Sequence, residues 1–233
     1  MKSKFLGKEK SKNVFKTDLM GIYMNVRLYR EYKIFYGGIN MELKGSKTAT
    51  NLMTAFAGEC QAVMRYKMYA SQAKKEGLEV IQAVFEETAE NERAHANRLY
   101  KFLKEELNDE GITINAEYPV HLGDTLTNLR AAAEGEEYEH SDMYPTFAKI
   151  AKEEGFNQIA GTLKEIGEVE EHHDKRYTEL ADRLEKDKLF EREEEVYWIC
   201  LNCGYVHKGK KAPKKCPACD HPQGFFKVLL EDY

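Results

Sequence analysis

Two short segments of the sequence combine the residue types that bind metal ions. Each has a glutamate followed three residues later by a histidine: Glu92 with His95, and Glu170 with His173. Residues three apart lie on the same face of an α-helix, so each segment would present a carboxylate and an imidazole together. Both ligand types suit divalent iron. One such segment is more often a solvated helix face, and the second occurrence is what favours a metal site.

The two segments belong to an internal repeat. Residues 51–59 align with residues 128–136 at an offset of 77, whereas the Glu-x-x-His segments repeat at an offset of 78. The one-residue slip falls near Pro145, which we expect to kink a helix. Each half reads as a helical hairpin that leaves an apolar stripe exposed. The repeat therefore predicts that the two hairpins pack into a four-helix bundle with an approximate two-fold axis.

Two further glutamates, Glu59 and Glu136, lie on the first helix of each half and would meet the Glu-x-x-His pairs in the core. Four acids buried together without compensation would cost many kcal/mol or stay protonated. Two bridged metal ions remove that cost. Glu139 shares the face of Glu136, but its counterpart in the first half is Ala62. We therefore expect one metal to have an extra carboxylate and the two metals to differ.

Other residues near these positions have more than one interpretation. Tyr66 is seven residues after Glu59 on the same face, and Tyr144 lies at a similar depth in the second half. Their phenols could hydrogen-bond a ligating carboxylate, or they could be ordinary core residues. Cys60 is expected to be a small buried hydrophobe. Three more histidines are expected to be exposed or outside the ligand set: His121, His140 and His172.

The C-terminal region carries a second metal-binding pattern. Cys200-x2-Cys203 is followed after twelve residues by Cys216-x2-Cys219, and each pair would present two thiolates to one tetrahedral ion. Zinc and iron both fit four thiolates, so the spacing does not choose between them. Five aromatic side chains are expected to shield the ion: Tyr197, Trp198, Tyr205, Phe225 and Phe226. Five lysines make the intervening loop basic, and they are either solvated or attractive to an acidic electron donor: Lys208, Lys210, Lys211, Lys214 and Lys215.

Composition narrows the classes of protein. The 233 residues are 42% hydrophobic, enough for a core, and carry a net charge of −5. Residues 1–40 contribute +6 and the remainder −11, an acidic body that argues against nucleic acid as a ligand. No stretch approaches eighteen uncharged apolar residues, and no secretory signal is recognisable, so we expect neither a membrane protein nor an exported one. The five cysteines then suit metal binding in a reducing cytoplasm.

The chain is divided accordingly into four parts. Residues 1–40 are a basic extension without a clean period. They are interpreted either as a translated leader before an initiator at Met41 or as a basic helix at a membrane surface. Residues 41–186 are the bundle, 187–196 a charged linker, and 197–233 the turn-rich metal module. The fold class is mainly α with a small C-terminal β domain.

Residues 41–233 resemble the rubrerythrin family, a ferritin-like di-iron domain followed by a rubredoxin-like domain. The resemblance rests on these motifs: Ala57-Gly58-Glu59, Glu92-x2-His95, Gly135-Glu136-x2-Glu139, Asp142-Met143-Tyr144-Pro145, Glu170-x2-His173, Cys200-x2-Cys203-Gly204-Tyr205 and Cys216-Pro217-x-Cys219. It implies that Glu59, Glu92, Glu136 and Glu170 ligate or bridge two irons and that His173 binds one of them. It also implies that Glu139 binds the other iron when oxidised and that His95 replaces it when reduced.

The resemblance implies a peroxidase that reduces hydrogen peroxide to water and limits oxidative stress. Electrons would come from an NAD(P)H-dependent rubredoxin oxidoreductase, often through a separate rubredoxin, to the four-thiolate iron. A head-to-tail homodimer would pass them between subunits. One alternative is a ferroxidase or iron-storage protein, which uses the same bundle without a four-cysteine module. Another is a zinc-ribbon interaction protein with an inert bundle.

Overall fold

The computed structural model describes residues 42–107 and 110–230. The expected N-terminal extension and Met41 lie outside these residues. Within the described ranges, five α-helices form the bundle: α1 (Lys47–Lys75), α2 (Glu79–Leu107), α3 (Thr125–Tyr138), α4 (Tyr144–Glu153) and α5 (Asn157–Glu185). A π-helix (Glu139–Met143) joins α3 to α4, so that these three segments act as one interrupted helix. The predicted four-helix bundle is confirmed.

The π-helix accounts for the slip in the repeat. A π-turn accommodates one residue more than an α-turn, which is why it marks an insertion in a helix. The repeat offset is 77 up to Glu136 and 78 from Tyr144 onward, and the π-helix lies between these two residues. Pro145 follows it in the first turn of α4 and, having no N–H, cannot donate to the carbonyls of the π-helix. The inserted residue therefore breaks the helix in the second half only.

A glycine follows the end of the first hairpin helix in each half. Gly77 and Gly155 have φ values of +72° and +77°, a conformation that glycine adopts without a steric penalty. The glutamate before each glycine reaches the other half. Glu76 accepts hydrogen bonds from the Thr125 N–H at the start of α3, and Glu154 accepts from the Thr48 N–H at the start of α1. These reciprocal contacts place a negative charge at each helix N-terminus and fix the two halves against each other.

The bundle core has two apolar layers. One includes Leu52, Leu99 and Leu163 near the start of α1, and the other includes Phe85, Leu129 and Tyr177 near its end. Between the two layers lie buried glutamates. None of the helices in the described ranges has both the length and the apolar character needed to cross a bilayer.

The C-terminal module contains a three-stranded antiparallel sheet in the order β2-β1-β3. The strands are β1 (Glu191–Cys200), β2 (Val206–Lys211) and β3 (Phe226–Val228), and a 3₁₀-helix (Gln223–Phe225) precedes β3. Strand β1 thus occupies residues 191–196, which the sequence analysis assigned to the linker. Phe190 packs against both the bundle core and the core of this module.

Candidate metal centre

Six ligand side chains converge between the two apolar layers of the bundle. Glu59 comes from α1, Glu92 and His95 from α2, Glu136 from α3, and Glu170 and His173 from α5. The four glutamates and His173 are each at most 1% exposed, and the side chain of His95 is 13% exposed. The structure therefore brings together the six positions that the repeat singled out.

The six side chains form two overlapping sets of four. The first quartet is Glu59, Glu92, His95 and Glu170, and the second quartet is Glu92, Glu136, Glu170 and His173. Within each quartet, one ligand atom per residue lies within 4.8 Å of the others. Because Glu92 and Glu170 belong to both quartets, each can bridge two ions. The remaining acid and histidine of each quartet can serve one ion only.

The histidines orient the same ring nitrogen toward the acids. His95 Nδ1 lies 2.9 Å from Glu170 Oε1 and 3.0 Å from Glu92 Oε2. His173 Nδ1 lies 2.7 Å from Glu170 Oε2 and 3.2 Å from Glu92 Oε1. His173 Nε2 is 3.3 Å from Asn91 Oδ1, an outer partner of the kind that fixes the orientation of a ligating imidazole. Sequence reasoning missed Asn91, because its repeat counterpart is Val169 and the repeat carries no signal for it.

The protonation of the site reflects its burial. Burial raises the pKa of Glu59 well above its ordinary value and raises that of Glu136 to about 8. Burial disfavours charge on His173, but its hydrogen bonds to Glu136 and Glu170 prevail and raise its pKa to about 12. Without metal, Glu59, Glu136 and the imidazole of His173 thus hold protons that ions would displace.

Unpartnered buried atoms show that this donor set fits a pair of cations. Among the described residues, at least one buried carboxylate oxygen of each of the four glutamates makes no hydrogen bond of good geometry, and neither does His173 Nδ1, although the rings and carboxylates lie close together. Leaving such groups unpaired is costly, and hard carboxylates with imidazole are what divalent iron prefers. Glu92 and Glu170 would bridge, with Glu59 and His95 on one side and Glu136 and His173 on the other.

Glu139 lies beside the centre but in neither quartet. It is half-buried in the π-helix, and its pKa is raised by burial and by the negative charges of Glu59 and Glu136. His95 belongs to the first quartet. The family resemblance implies that His95 binds the iron on this side in the reduced state and that Glu139 binds it in the oxidised state. That Glu139 is a ligand stays a prediction.

The two tyrosines bond carboxylates in opposite halves of the bundle. Tyr66, on α1, donates to Glu136 on α3, and Tyr144, on α4, donates to Glu59 on α1. Both tyrosines are at most 1% exposed. The sequence placed Tyr66 on the Glu59 face, but the acid it reaches belongs to the other hairpin.

Other expectations for single residues have mixed outcomes. His121 and His172 are exposed, and His140 is half-buried with its Nε2 3.2 Å from Asp174 Oδ2. Cys60 is exposed, so the expectation that it is buried was wrong. It follows Glu59 by one residue on α1 and therefore points away from the core.

The four cysteines form a second cluster, in the C-terminal module. One sulfur atom from each lies within 4.8 Å of the others; Cys200 Sγ is 3.7 Å from Cys219 Sγ, and Cys203 Sγ is 3.6 Å from Cys216 Sγ. The backbone N–H of His221 bonds the Cys219 sulfur and lowers the pKa of that thiol to about 6. Four thiol groups gathered around one point, with a donor that favours thiolate, suit a tetrahedral ion.

The shell around the cysteines is mostly apolar. Trp198 and Phe226 are buried, and Tyr205 and Phe225 pack against them. Tyr197 is 53% exposed, so its expected place in the shell was wrong. It alternates with Trp198 along β1 and therefore faces solvent.

Fold and site together define a carboxylate-bridged di-iron bundle joined to a four-thiolate module. A family model described as rubrerythrin matches residues 50–181, and one described as the rubrerythrin rubredoxin-like domain matches residues 198–227. The chain belongs to the rubrerythrin family. It therefore has a di-iron site in the bundle and a rubredoxin-like iron site in the C-terminal module.

Named relatives agree with this assignment. The chain is 55% identical over 192 residues to rubrerythrin-1 of Clostridium acetobutylicum, covering 82% of this chain and 98% of that protein. It is 47% identical over 188 residues to rubrerythrin of Nitratidesulfovibrio vulgaris, covering 80% and 96%.

Solved structures extend the agreement to the fold. Fully reduced nigerythrin matches with 30% identity and a TM-score of 0.53, covering 84% of this chain and 96% of that one. A bacterioferritin from Desulfovibrio desulfuricans matches with 22% identity and a TM-score of 0.58, covering 65% and 87%. The latter likeness concerns the fold alone, and it supports a ferritin-like bundle.

Proposed function

We propose that this protein is a non-haem di-iron peroxidase that reduces hydrogen peroxide to water in the cytoplasm. The observation that carries the proposal is the pair of quartets sharing Glu92 and Glu170, in a chain that also has a four-cysteine cluster. The first feature suits a centre that stores two electrons, and the second suits a site that receives electrons one at a time. Thiolate ligands are compatible with a reducing compartment.

The reaction needs two electrons and two protons for each peroxide, so that the O–O bond breaks and two molecules of water form. When bound, two ferrous ions would supply the two electrons. The four glutamates hold the ion positions close together in a buried site. Tyr66 and Tyr144 restrain Glu136 and Glu59 by hydrogen bonds, which keeps these two acids oriented as the charge of the centre changes.

Glu139 adds a carboxylate to one side of the centre, so that either Glu139 or His95 could bind the ion on that side. Glu139 is close enough that the charges of Glu59 and Glu136 raise its pKa, while His95 already lies in the first quartet. We propose that His95 serves that side in the reduced state and Glu139 in the oxidised state. An added negative ligand would balance the added positive charge of oxidised iron.

We propose that electrons reach the four-cysteine site from rubredoxin, from an NAD(P)H-dependent rubredoxin oxidoreductase, or from both. The basic loop was a candidate docking surface for such a donor. Three of its lysines contact acids of the module: Lys208 with Glu195 at 3.7 Å, Lys211 with Glu191 at 2.9 Å, and Lys215 with Asp220 at 3.1 Å. These pairs reduce the net positive charge of the loop. Cys203 is exposed and offers the shortest path to a docked donor.

The route from the four-cysteine site to the di-iron site is proposed to cross between subunits of a homodimer. The 3₁₀-helix of the C-terminal module packs against the turn between α1 and α2. The contact is so close that a Cβ at Gly224 would overlap the Gly77 carbonyl oxygen. Glu59 lies sixteen residues before the end of α1, about 24 Å along the helix axis. The di-iron site is therefore far along the bundle from the point where this chain's own module packs. A second copy placed head to tail would bring a module closer to the centre.

Anaerobic turnover tests the proposal directly. The iron-loaded protein, supplied with chemically reduced rubredoxin, should consume peroxide with two equivalents of rubredoxin oxidised per peroxide. The Cys200→Ser/Cys203→Ser variant should lose rubredoxin-linked turnover and keep the di-iron site. If the protein instead oxidises ferrous iron with oxygen, retains it as mineral, and consumes no peroxide, the iron-handling alternative is correct.

A further inference from the structure

We propose that peroxide reaches the di-iron site through a surface pocket beside the π-helix, and that Gly167 sets the size of the hydroperoxide admitted. The inference rests on the proposed peroxidase function. The pocket, called here the entry pocket, has a volume of about 260 Å³ and lies between the π-helix with the start of α4 on one side and α5 on the other. Its lining includes His140, Tyr144, Gly167 and Glu171.

Tyr144 connects the entry pocket to the centre. It lines the pocket and also donates a hydrogen bond to Glu59, a member of the first quartet. Two neighbours in sequence support the same placement. Glu171 follows the shared ligand Glu170, and His140 follows Glu139. A small molecule in the pocket would thus be separated from the first quartet by Tyr144.

Gly167 makes room for this arrangement. It is buried on α5, three residues before Glu170, so the two face the same side of the helix. A Cβ at Gly167 would lie 3.1 Å from Tyr144 Cβ, closer than ordinary contact. Any side chain there would push on Tyr144 and occupy the end of the pocket nearest the centre.

The corresponding position in the first half carries a methyl side chain. The repeat counterpart of Gly167 is Ala89, which is fully buried. Tyr66, the counterpart of Tyr144, packs among three aromatic rings whose centroids are 5.5–6.1 Å from its own: Tyr69, Phe85 and Tyr177. These rings pack around Tyr66, whereas Tyr144 has Gly167 beside it. The two halves of the repeat therefore differ beside Tyr144, on the side of the bundle that also carries Glu139.

Charge at the rim of the entry pocket favours a neutral molecule. Lys164 Nζ is 2.9 Å from Glu168 Oε1, and Lys175 pairs with Glu171. Opposite charges offset each other at this rim. Hydroperoxides are small and uncharged at neutral pH. The pocket fits this class better than it fits an anion.

Alanine substitution at two glycines of the same helix tests the route. Gly161 is exposed on α5, and a Cβ added there would meet no atom within 4 Å, so Gly161→Ala is a matched control for helix propensity. Reduced iron-loaded protein is mixed anaerobically with hydrogen peroxide or with tert-butyl hydroperoxide. Gly167→Ala should slow oxidation by the bulky peroxide about tenfold more than oxidation by hydrogen peroxide, the scale of one methyl group in a pocket. Gly161→Ala should change neither rate.

A structural readout accompanies the kinetics. Crystals of the iron-loaded full chain are soaked in tert-butanol, the unreactive analogue of the bulky peroxide, which should occupy the entry pocket in the wild type and be absent in Gly167→Ala. An empty wild-type pocket, or equal rate effects of the two substitutions, would overturn the route while leaving the peroxidase proposal intact. Failure of wild type to react with either peroxide would overturn the peroxidase proposal and the route with it.

Discussion

Tyr66 of the first hairpin donates its hydroxyl hydrogen to Glu136 of the second, and both side chains are 1% exposed. Tyr144 and Glu59 repeat this contact in the opposite direction. Each hairpin therefore supplies the residue that holds a metal-ligand candidate of the other. The two contacts tie the assembly of the bundle to the geometry of the metal centre.

Removing either hydroxyl should weaken this coupling. Tyr66→Phe and Tyr144→Phe each leave a buried carboxylate oxygen without its donor, which should lower the free energy of unfolding by about 1.5–3 kcal/mol in the metal-free protein. Denaturant unfolding measures the loss. Tyr138→Phe, at a tyrosine that is 56% exposed, is the matched control and should change stability little. If all three substitutions changed the free energy of unfolding equally, the two buried hydrogen bonds would contribute no more to stability than an exposed hydroxyl does.

Glu139→Ala should alter one iron environment more than the other. The substitution removes a carboxylate that lies near Glu59. The repeat counterpart of Glu139 in the first half is Ala62, so the other side of the centre has no equivalent acid. Mössbauer spectra of the oxidised protein should therefore show one of the two bundle irons changed. An exposed acid two residues earlier gives the control Glu137→Ala, which should leave both irons unchanged. Identical spectra for wild type and Glu139→Ala would exclude Glu139 as a ligand.

Metal removal should make stability fall as pH rises. The pKa of Glu136 is raised from 4.5 to about 8 by burial, so between these values the folded chain keeps a proton that the unfolded chain has lost. Stability therefore declines with rising pH across this window. His173, whose carboxylate partners outweigh burial and raise its pKa to about 12, acts in the same direction above its unfolded value of 6.5.

Unfolding of the metal-free protein measures this dependence. Its free energy should be lower at about pH 8 than at about pH 5.5, by a few kcal/mol. The iron-loaded protein is the control and should show a smaller change over the same range, because bound ions replace the protons. A metal-free protein that becomes more stable as pH rises would contradict this account of the buried acids.

The sequence located the candidate ligands better than it located the residues that hydrogen-bond to them. Helical spacing states which residues share a face, so the repeat was sufficient to bring together Glu59, Glu92, Glu136 and Glu170. Spacing does not state which helix lies opposite, and this is why the Tyr66 contact with Glu136 was not predicted. The change of the repeat offset from 77 to 78 places the inserted residue between Glu136 and Tyr144. It does not indicate that the insertion forms a π-helix.

The start of the C-terminal sheet was also hidden by composition. Residues 191–195 are Glu-Arg-Glu-Glu-Glu, which is typical of a solvated linker. In the structure they belong to β1, whose Glu191 and Glu195 contact Lys211 and Lys208. The acidic strand and the basic loop thus neutralise each other across the sheet. Such pairing depends on register, which local composition does not contain.

Mixed dimers should recover activity if electrons cross between subunits. Cys200→Ser/Cys203→Ser removes the four-cysteine iron, and Glu92→Ala/Glu170→Ala removes the two acids that both quartets share. A heterodimer of the two variants has one intact four-cysteine site and one intact di-iron site on opposite chains. After subunit exchange, rubredoxin-linked peroxide turnover should appear, although each variant alone lacks it. Wild-type protein carried through the same exchange is the control. Verified heterodimers that stay inactive would place the transfer within one chain.

Single-turnover oxidation of the fully reduced protein tests the central claim most directly. Anaerobically reconstituted protein should contain about three irons per chain, two in the bundle and one in the four-cysteine site. One equivalent of hydrogen peroxide per chain, followed by stopped-flow absorbance and Mössbauer spectroscopy, should oxidise both bundle irons and leave no peroxide. Peroxide that persists while the bundle irons stay ferrous, or a bundle that binds no iron beside a zinc-filled four-cysteine site, would contradict the assignment of this protein as a di-iron peroxidase.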